Sequence, residues 1–186
     1  MTKKPIKTEK KLAEEKYKAL RSLAMSAVED EINQLLTHVT VRLTHITSEA
    51  LHLAVTWRKS YYGKRLNHEP GWNWTTELNR FRSRPRRIEL AIWGNDILCG
   101  LALGRISDKK IVVTIHLIES NPTNNPLKAK IVPIATQFIE VLGNTLSVRE
   151  ISIERPVNSL IDFYVNQGFK EKEMRKNKII RLKKVL

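Results

Sequence analysis

The sequence predicts an α/β protein of the α+β kind: a mixed, mostly antiparallel sheet covered by helices, preceded by one long N-terminal helix. Three observations carry that prediction. Apolar residues recur at spacings of three and four from Thr8 to about His38. Three apolar runs with strand character, RIELAIW, ILCGLALGRIS and IVVTIHLIE, follow one another across tight polar turns. A helix, strand, helix and strand pair then fill residues 127 to 186.

The first helix is expected to bury one stripe that includes Leu12, Tyr17, Leu23, Ala24, Val28, Ile32 and Leu35. No Gly or Pro interrupts it from Lys7 to Leu36. Lys3, Lys4 and Lys7 stand at the end disfavoured by the helix dipole, so a frayed start is expected there. Val39, Val41 and Leu43 alternate as a strand, and Ser48 is the expected N-cap of a helix running past Trp57. Residues 63–74 read as a loop with a Pro70-Gly71 turn, after which Thr75 or Thr76 caps a short helix that must stop before Pro85. The turns Gly94-Asn95-Asp96 and Asp108-Lys109-Lys110 join the three strands into a meander. Pro133 leaves two courses for the helix at 127–142: it starts late, with the proline in its first turn, or it kinks there.

Composition narrows the function. The 186 residues are 41% hydrophobic and 28% charged, which suits a compact domain, and no apolar run is long enough to span a bilayer. The N-terminus lacks the apolar stretch of a signal peptide, so a cytoplasmic protein without membrane insertion is expected. A lone cysteine, Cys99, excludes an internal disulfide and a cysteine-based zinc site. His38, His45 and His52 recur at intervals of seven across different elements, share no face, and suggest no metal site. With 33 basic and 19 acidic side chains the net charge is +14, a field attractive to polyanions: nucleic acid, phosphorylated cofactors or acidic membrane surface.

The stretch SLIDFYVNQGF, with Tyr164 four residues before Gly168 and Phe169 behind it, closely resembles the fourth helix of the GNAT family of N-acetyltransferases. GNDILCGLALGRI is similar to that family's hairpin between its second and third strands, and the element order from residue 38 matches. The resemblance divides the chain into a basic tail and helical extension, 1–37, and a GNAT-like acyltransferase domain, 38–186. It implies transfer of an acyl group, acetyl first of all, from acetyl-CoA as co-substrate to a small-molecule or protein amine. In the family, backbone amides at the start of the third helix hold the coenzyme pyrophosphate, with a glycine-rich turn allowing close approach. This chain departs from that pattern. NPTNNPLKAKIVP contains no glycine, and Lys128 and Lys130 stand where the glycines belong. The two lysines would pair with phosphates or be merely solvated, and Asn124 or Asn125 would cap the helix.

Tyr164 is the implied acid for the departing thiolate, against the plainer role of a ring packed beside Phe163 and Phe169. Glu119 is the implied base. His116, on the same strand, is the other candidate for the base, and strict alternation puts the two on opposite faces, so only one of them would face the acceptor. Trp72 and Trp74 would stack on an acceptor or fold over the core as a lid. Arg80, Arg82, Arg84, Arg86 and Arg87 form the alternative: a catalytically inactive protein of the same fold whose basic face engages nucleic acid or an acidic partner. The N-terminal helix would pack on the domain or serve self-association as a homodimer.

Overall fold

A computed structural model describes residues 6–60, 71–109 and 111–186. The expected loop from 63 through Pro70, Lys110 of the second turn, and Lys3 and Lys4 of the charged start lie outside the described residues. The elements run α1 (Ile6–Leu35), β1 (Val41–Thr44), α2 (Ser48–Ser60), α3 (Trp74–Arg82), β2 (Arg87–Gly94), β3 (Ile97–Ile106) and β4 (Val112–Ser120). There follow α4 (Ile131–Thr145), β5 (Glu150–Glu154), a 3-10 turn (Asn158–Leu160) leading into α5 (Ile161–Asn166), β6 (Glu171–Arg175) and β7 (Lys178–Val185). The seven strands form one sheet in the order β1-β2-β3-β4-β5-β7-β6, antiparallel throughout except for the parallel pair β4 and β5.

Both faces are covered, which is why β2 is buried almost along its whole length rather than at alternate residues. Ile88, Leu90 and Ile92 join a core with α1 and α4, whereas Ala91 and Trp93 join a second core with α2 and α3. The meander's first turn places Asn95 and Asp96 at φ 48° and 63°, left-handed positions these residues tolerate better than most. Two expected caps move by one to three residues. Thr47, not Ser48, accepts from the backbone N–H of Ala50, and Asn73, not Thr75 or Thr76, accepts from that of Thr76.

The long helix is part of this body. Tyr17, Ala24, Met25, Val28 and Ile32 enter the larger core, but Leu12, Leu23 and Leu35 of the expected stripe are exposed and Arg21 lies buried within it. The stripe is thus spent against the chain's own sheet. Side chains of α1 also cover the outer edge of β1: the Asn33 amide donates to Val41 O and accepts from Val41 N, and Glu29 accepts from Leu43 N. An edge that would otherwise offer free backbone groups to another strand is closed by its own helix.

The feature that shapes the site is a bulge in β4. Leu103 pairs with Leu117 but Gly104 with Ile115, leaving His116 as the extra residue. The crowding is severe on the β3 side, where a Cβ on Gly104 would lie 2.0 Å from the carbonyl oxygen of Thr114. Pairing between β4 and β5 runs from Val112–Glu150 to Ile115–Ile153 and stops there. Beyond that point β4 continues alone along β3, and the two parallel strands part.

Candidate functional site

The gap between the parted strands is a cleft of about 350 Å³. Its walls include Ile115 to Ile118 of β4, Ile153 and Glu154 of β5, Ile131 and Val132 at the start of α4, and Tyr164 of α5. On the closed side, the hydroxyls of Thr114 and Ser152 meet across the strands at 2.8 Å in the interior. Two residues further along, His116 Nδ1 meets the Glu154 carboxylate.

At the α4 end the chain is pinned before the helix starts. Asn125 donates to Cys99 O (3.0 Å) and Ser120 Oγ (2.8 Å) and accepts from Leu127 N. Its amide therefore ties the loop to β3 and β4 and does not cap α4, whose cap position is Lys130, without a side-chain bond. Asn124 is exposed and makes no cap either. The helix takes the late start, with Pro133 in its first turn, where a missing N–H costs nothing. The amides of Ile131 and Val132 have no acceptor within the helix, and the positive end of its dipole lies there. Lys128 and Lys130 are exposed on either side of Ala129, which adopts φ 64°. The left-handed turn thus falls on an alanine between the two lysines that stand where the glycines belong, at a cost of about 1–2 kcal/mol.

Tyr164 is buried, with its ring edge-on to Phe163 and Phe169 at centroid distances of 5.9 and 6.1 Å, while it also lines the cleft. The ring is packed beside its two aromatic neighbours, and the same residue borders the cleft. Burial pushes its hydroxyl up to about 12, so at neutral pH it is a proton donor only. Gly168, at φ 94°, ends the helix and returns the chain so that Phe169 reaches the core.

Glu119 is buried, and its Oε2 accepts from the Trp74 indole at 2.6 Å and from Trp72 N at 3.3 Å. Trp74 is therefore an interior anchor at the first residue of α3, not a surface for stacking. Trp72 is 40% exposed and borders the cleft. The bulge also overturns the expected opposition of His116 and Glu119. His116 meets the Phe81 ring of α3 at 5.8 Å, Leu117 packs in the core beside α2 and α3, and Glu119 reaches Trp74, so all three lie on one side. Alternation fails because the extra residue shifts the phase.

The five arginines do not form one open basic face. Arg87 is largely buried, paired with Glu14 at 2.7 Å and Glu89 at 3.1 Å. Arg80 pairs with Glu77 and Arg86 with Asp108, while Arg84 lies over the Phe81 ring and Arg82 is exposed. At the far edge Arg181 and Lys183 share Glu173, and Lys184 pairs with Glu140. Among the described residues no three His, Cys, Asp or Glu side chains gather as a metal site would require, and no helix is long and apolar enough to cross a membrane.

Three features escaped the sequence reading: the bulge at His116, its partner Glu154, and the left-handed Ala129. A glycine at 129 would have signalled the last, but nothing in an alanine does.

No protein-family model matches the chain, and no curated protein matches it. Solved structures do. The PaiA N-acetyltransferase of Thermoplasma acidophilum, determined in complex with coenzyme A, is similar with a TM-score of 0.54 and 15% identity over 78% of this chain and 99% of that one. The ribosomal-protein-S18-alanine N-acetyltransferase of Escherichia coli gives 0.56 and 15% over 78% and 93%. A GNAT-family acetyltransferase of Staphylococcus aureus gives 0.58 and 12% over 78% and 99%. These chains are matched almost whole while about a fifth of this one is left over. The chain has the GNAT fold.

Proposed function

We propose that this GNAT-fold protein is an acyl-CoA-dependent N-acyltransferase that moves an acetyl group from acetyl-CoA to an amine. The observation that carries the reading is the cleft between β4 and β5, which has a cationic helix start at one end and a buried phenol in its wall. The solved coenzyme A complex of a protein with the same fold adds support.

The residues present suit the coenzyme. Its pyrophosphate would meet the unpaired amides of Ile131 and Val132, the positive end of α4, and the Lys128 and Lys130 ammoniums. Asn125 would hold that loop without touching the ligand, and Asn124 would stand at its rim. The apolar walls, Ile115, Ile118 and Val132 among them, suit the uncharged arm that carries the thioester. When bound, the thioester supplies the activated acyl group. Tyr164 keeps its proton at neutral pH and would give it to the departing sulfur, since a phenol of pKa about 12 does not ionise unprompted. The amine would approach on the α3 side, past Trp72, where Glu119 is fixed by the two tryptophans and lends negative charge attractive to an ammonium.

Turnover of acetyl-CoA with primary amines, followed by thiol release, tests the reading. Tyr164→Phe should lower kcat at least tenfold and leave the folded protein intact, because the ring and its two aromatic neighbours are preserved. Equal turnover by the variant would remove the acid role.

A further inference from the structure

We propose that the seam between α1 and the rest of the protein holds a second binding site, for a small phosphate monoester with an apolar body. It stands apart from the cleft and from the acyl-transfer reading.

Two of the five arginines that share no open face do meet a third around a cavity. Arg84 and Arg86 of the α3–β2 link and Arg105 of β3 line a space of about 500 Å³, and Ala13 and Tyr17 of α1 form its other wall. The cavity and the cleft have no lining residue in common. Arg105 and Ile106 pair with Thr114 and Val113, where β4 and β5 are still joined, so the two openings lie toward opposite ends of β4. Ala13 and Tyr17 belong to the stretch that the family resemblance leaves outside the acyltransferase domain. The GNAT fold by itself therefore does not supply this site.

Its walls are set before a ligand arrives. Arg21 donates to Pro85 O at 3.2 Å and to Arg87 O at 3.0 Å, which fixes α1 to the link. Ile106 N donates to Arg86 O at 2.9 Å, which fixes the link to β3. Binding here does not have to order three separate segments.

The chemistry of the lining selects the ligand. Three guanidiniums stand against one carboxylate, Asp108, a surplus of positive charge. Arg86 lies over the Tyr17 ring at 6.0 Å and Arg84 over the Phe81 ring at 5.6 Å, so aromatic faces steady both planes and leave N–H edges to donate. Arg105 makes no side-chain hydrogen bond or ion pair among the described residues. Asp108 meets Arg86 at 3.4 Å but is wholly exposed, a weak pair that a dianion displaces readily. A phosphate monoester brings nearly two negative charges at neutral pH and three acceptor oxygens, which suit the surplus and the planar forks. Phosphate alone would leave most of the volume empty, and the rest of the lining, Ala13, Tyr17, Pro85 and Ile106, is largely apolar. A phosphodiester backbone carries one charge per phosphate and has no terminal group to enter a cavity.

Calorimetric titration of the whole protein with phenyl phosphate at about pH 7.5, where the probe is a dianion, tests the site, with phenol and a short nucleic-acid duplex as comparisons. The wild type should bind one phenyl phosphate per chain, at least tenfold more tightly than phenol, and saturating acetyl-CoA should not displace it. Arg84→Gln/Arg105→Gln should weaken binding at least tenfold. Ala13→Phe, which fills the cavity and keeps every charge, should do the same. Each variant should unfold near the wild-type denaturant midpoint, so that the lost affinity reads the site and not the fold. No binding by the wild type, displacement by acetyl-CoA, or binding that either variant leaves undiminished would overturn the proposal. A duplex that binds more tightly than phenyl phosphate and ignores Ala13→Phe would also overturn it, and would assign the arginines to an open polyanion surface.

Discussion

Two polar clusters lie in this sheet and differ in one respect. Where α1 crosses β2, Arg21 is 1% exposed and donates to Pro85 O, Arg87 O and Glu14, with Glu89 at 3.5 Å. Arg87 bonds Glu14 and Glu89 in turn, and His45 lies 3.5 Å from Glu89. Each carboxylate there is shared between guanidiniums, and the cluster clamps four segments together. In the cleft between β4 and β5 the polar groups are sparser and drawn from strands that have separated: the Thr114–Ser152 hydroxyl pair on the closed side and the His116–Glu154 contact beyond it. A dense set of shared buried charges ties distant segments into one fold, whereas sparse pairs beside an opening leave the strands room to receive a ligand.

The sharpest way to break this distinction is to remove the clamp's centre. Arg21→Met keeps the length of the side chain and deletes its charge, leaving Glu14 and the nearly buried Glu89 short of a partner. A loss of about 3–5 kcal/mol in denaturant unfolding is expected, with acetyl-CoA affinity unchanged while the protein is folded. A change below about 1 kcal/mol would show that the network does not clamp.

Acid should attack the clamp next. Burial pushes the Glu89 carboxyl up, but His45, Arg87 and Arg21 outweigh it and hold its pKa below the ordinary 4.5. The folded state therefore binds this proton less readily than the unfolded chain. The stabilisation is complete above the ordinary value and drains away as the pH falls through the folded one. The unfolding free energy should hold level down to about pH 5 and decline below it, and Glu89→Gln should flatten that decline. An acid limb identical in the variant would place its origin elsewhere.

The smallest effect belongs to the cleft. Ala129→Gly removes the left-handed penalty but adds freedom to the unfolded chain, so a gain of about 0.5–1 kcal/mol is expected in thermal or denaturant unfolding. A loss of stability would mean that the alanine methyl packs usefully where it stands.

Much of the clamp's frame was legible in the sequence and much of the cleft was not, for physical reasons. The meander at 87–120 announces itself because its strands are apolar on both faces and Asn95-Asp96 is a turn pair. The period of α1 is equally plain. Arg21 is not, because a charged residue within an apolar stripe reads as solvated until partners distant in sequence are brought to it. Gly168 was readable as a helix end from local pattern and Tyr164 only from the family resemblance, and the structure puts the tyrosine in the cleft wall. The bulge turns on a single unpaired residue, so it leaves no trace in periodicity; without it His116 and Glu119 fall on opposite faces, and with it on one. Asn125 read as a cap because asparagine before a helix ordinarily is one. Its actual partners, Cys99 O and Ser120 Oγ, lie on two strands whose approach only the fold determines.

In the proposed function, the start of α4 and the cleft behind it receive an acyl-coenzyme A without the expected glycines. Calorimetric titration with acetyl-CoA at two salt concentrations, on the wild type and on Lys128→Glu/Lys130→Glu, tests it most directly. Saturable one-to-one binding that survives the higher salt and weakens at least tenfold in the double variant is expected. No binding, or binding shared equally by dephospho-CoA and a short nucleic-acid duplex and abolished by salt, would contradict it.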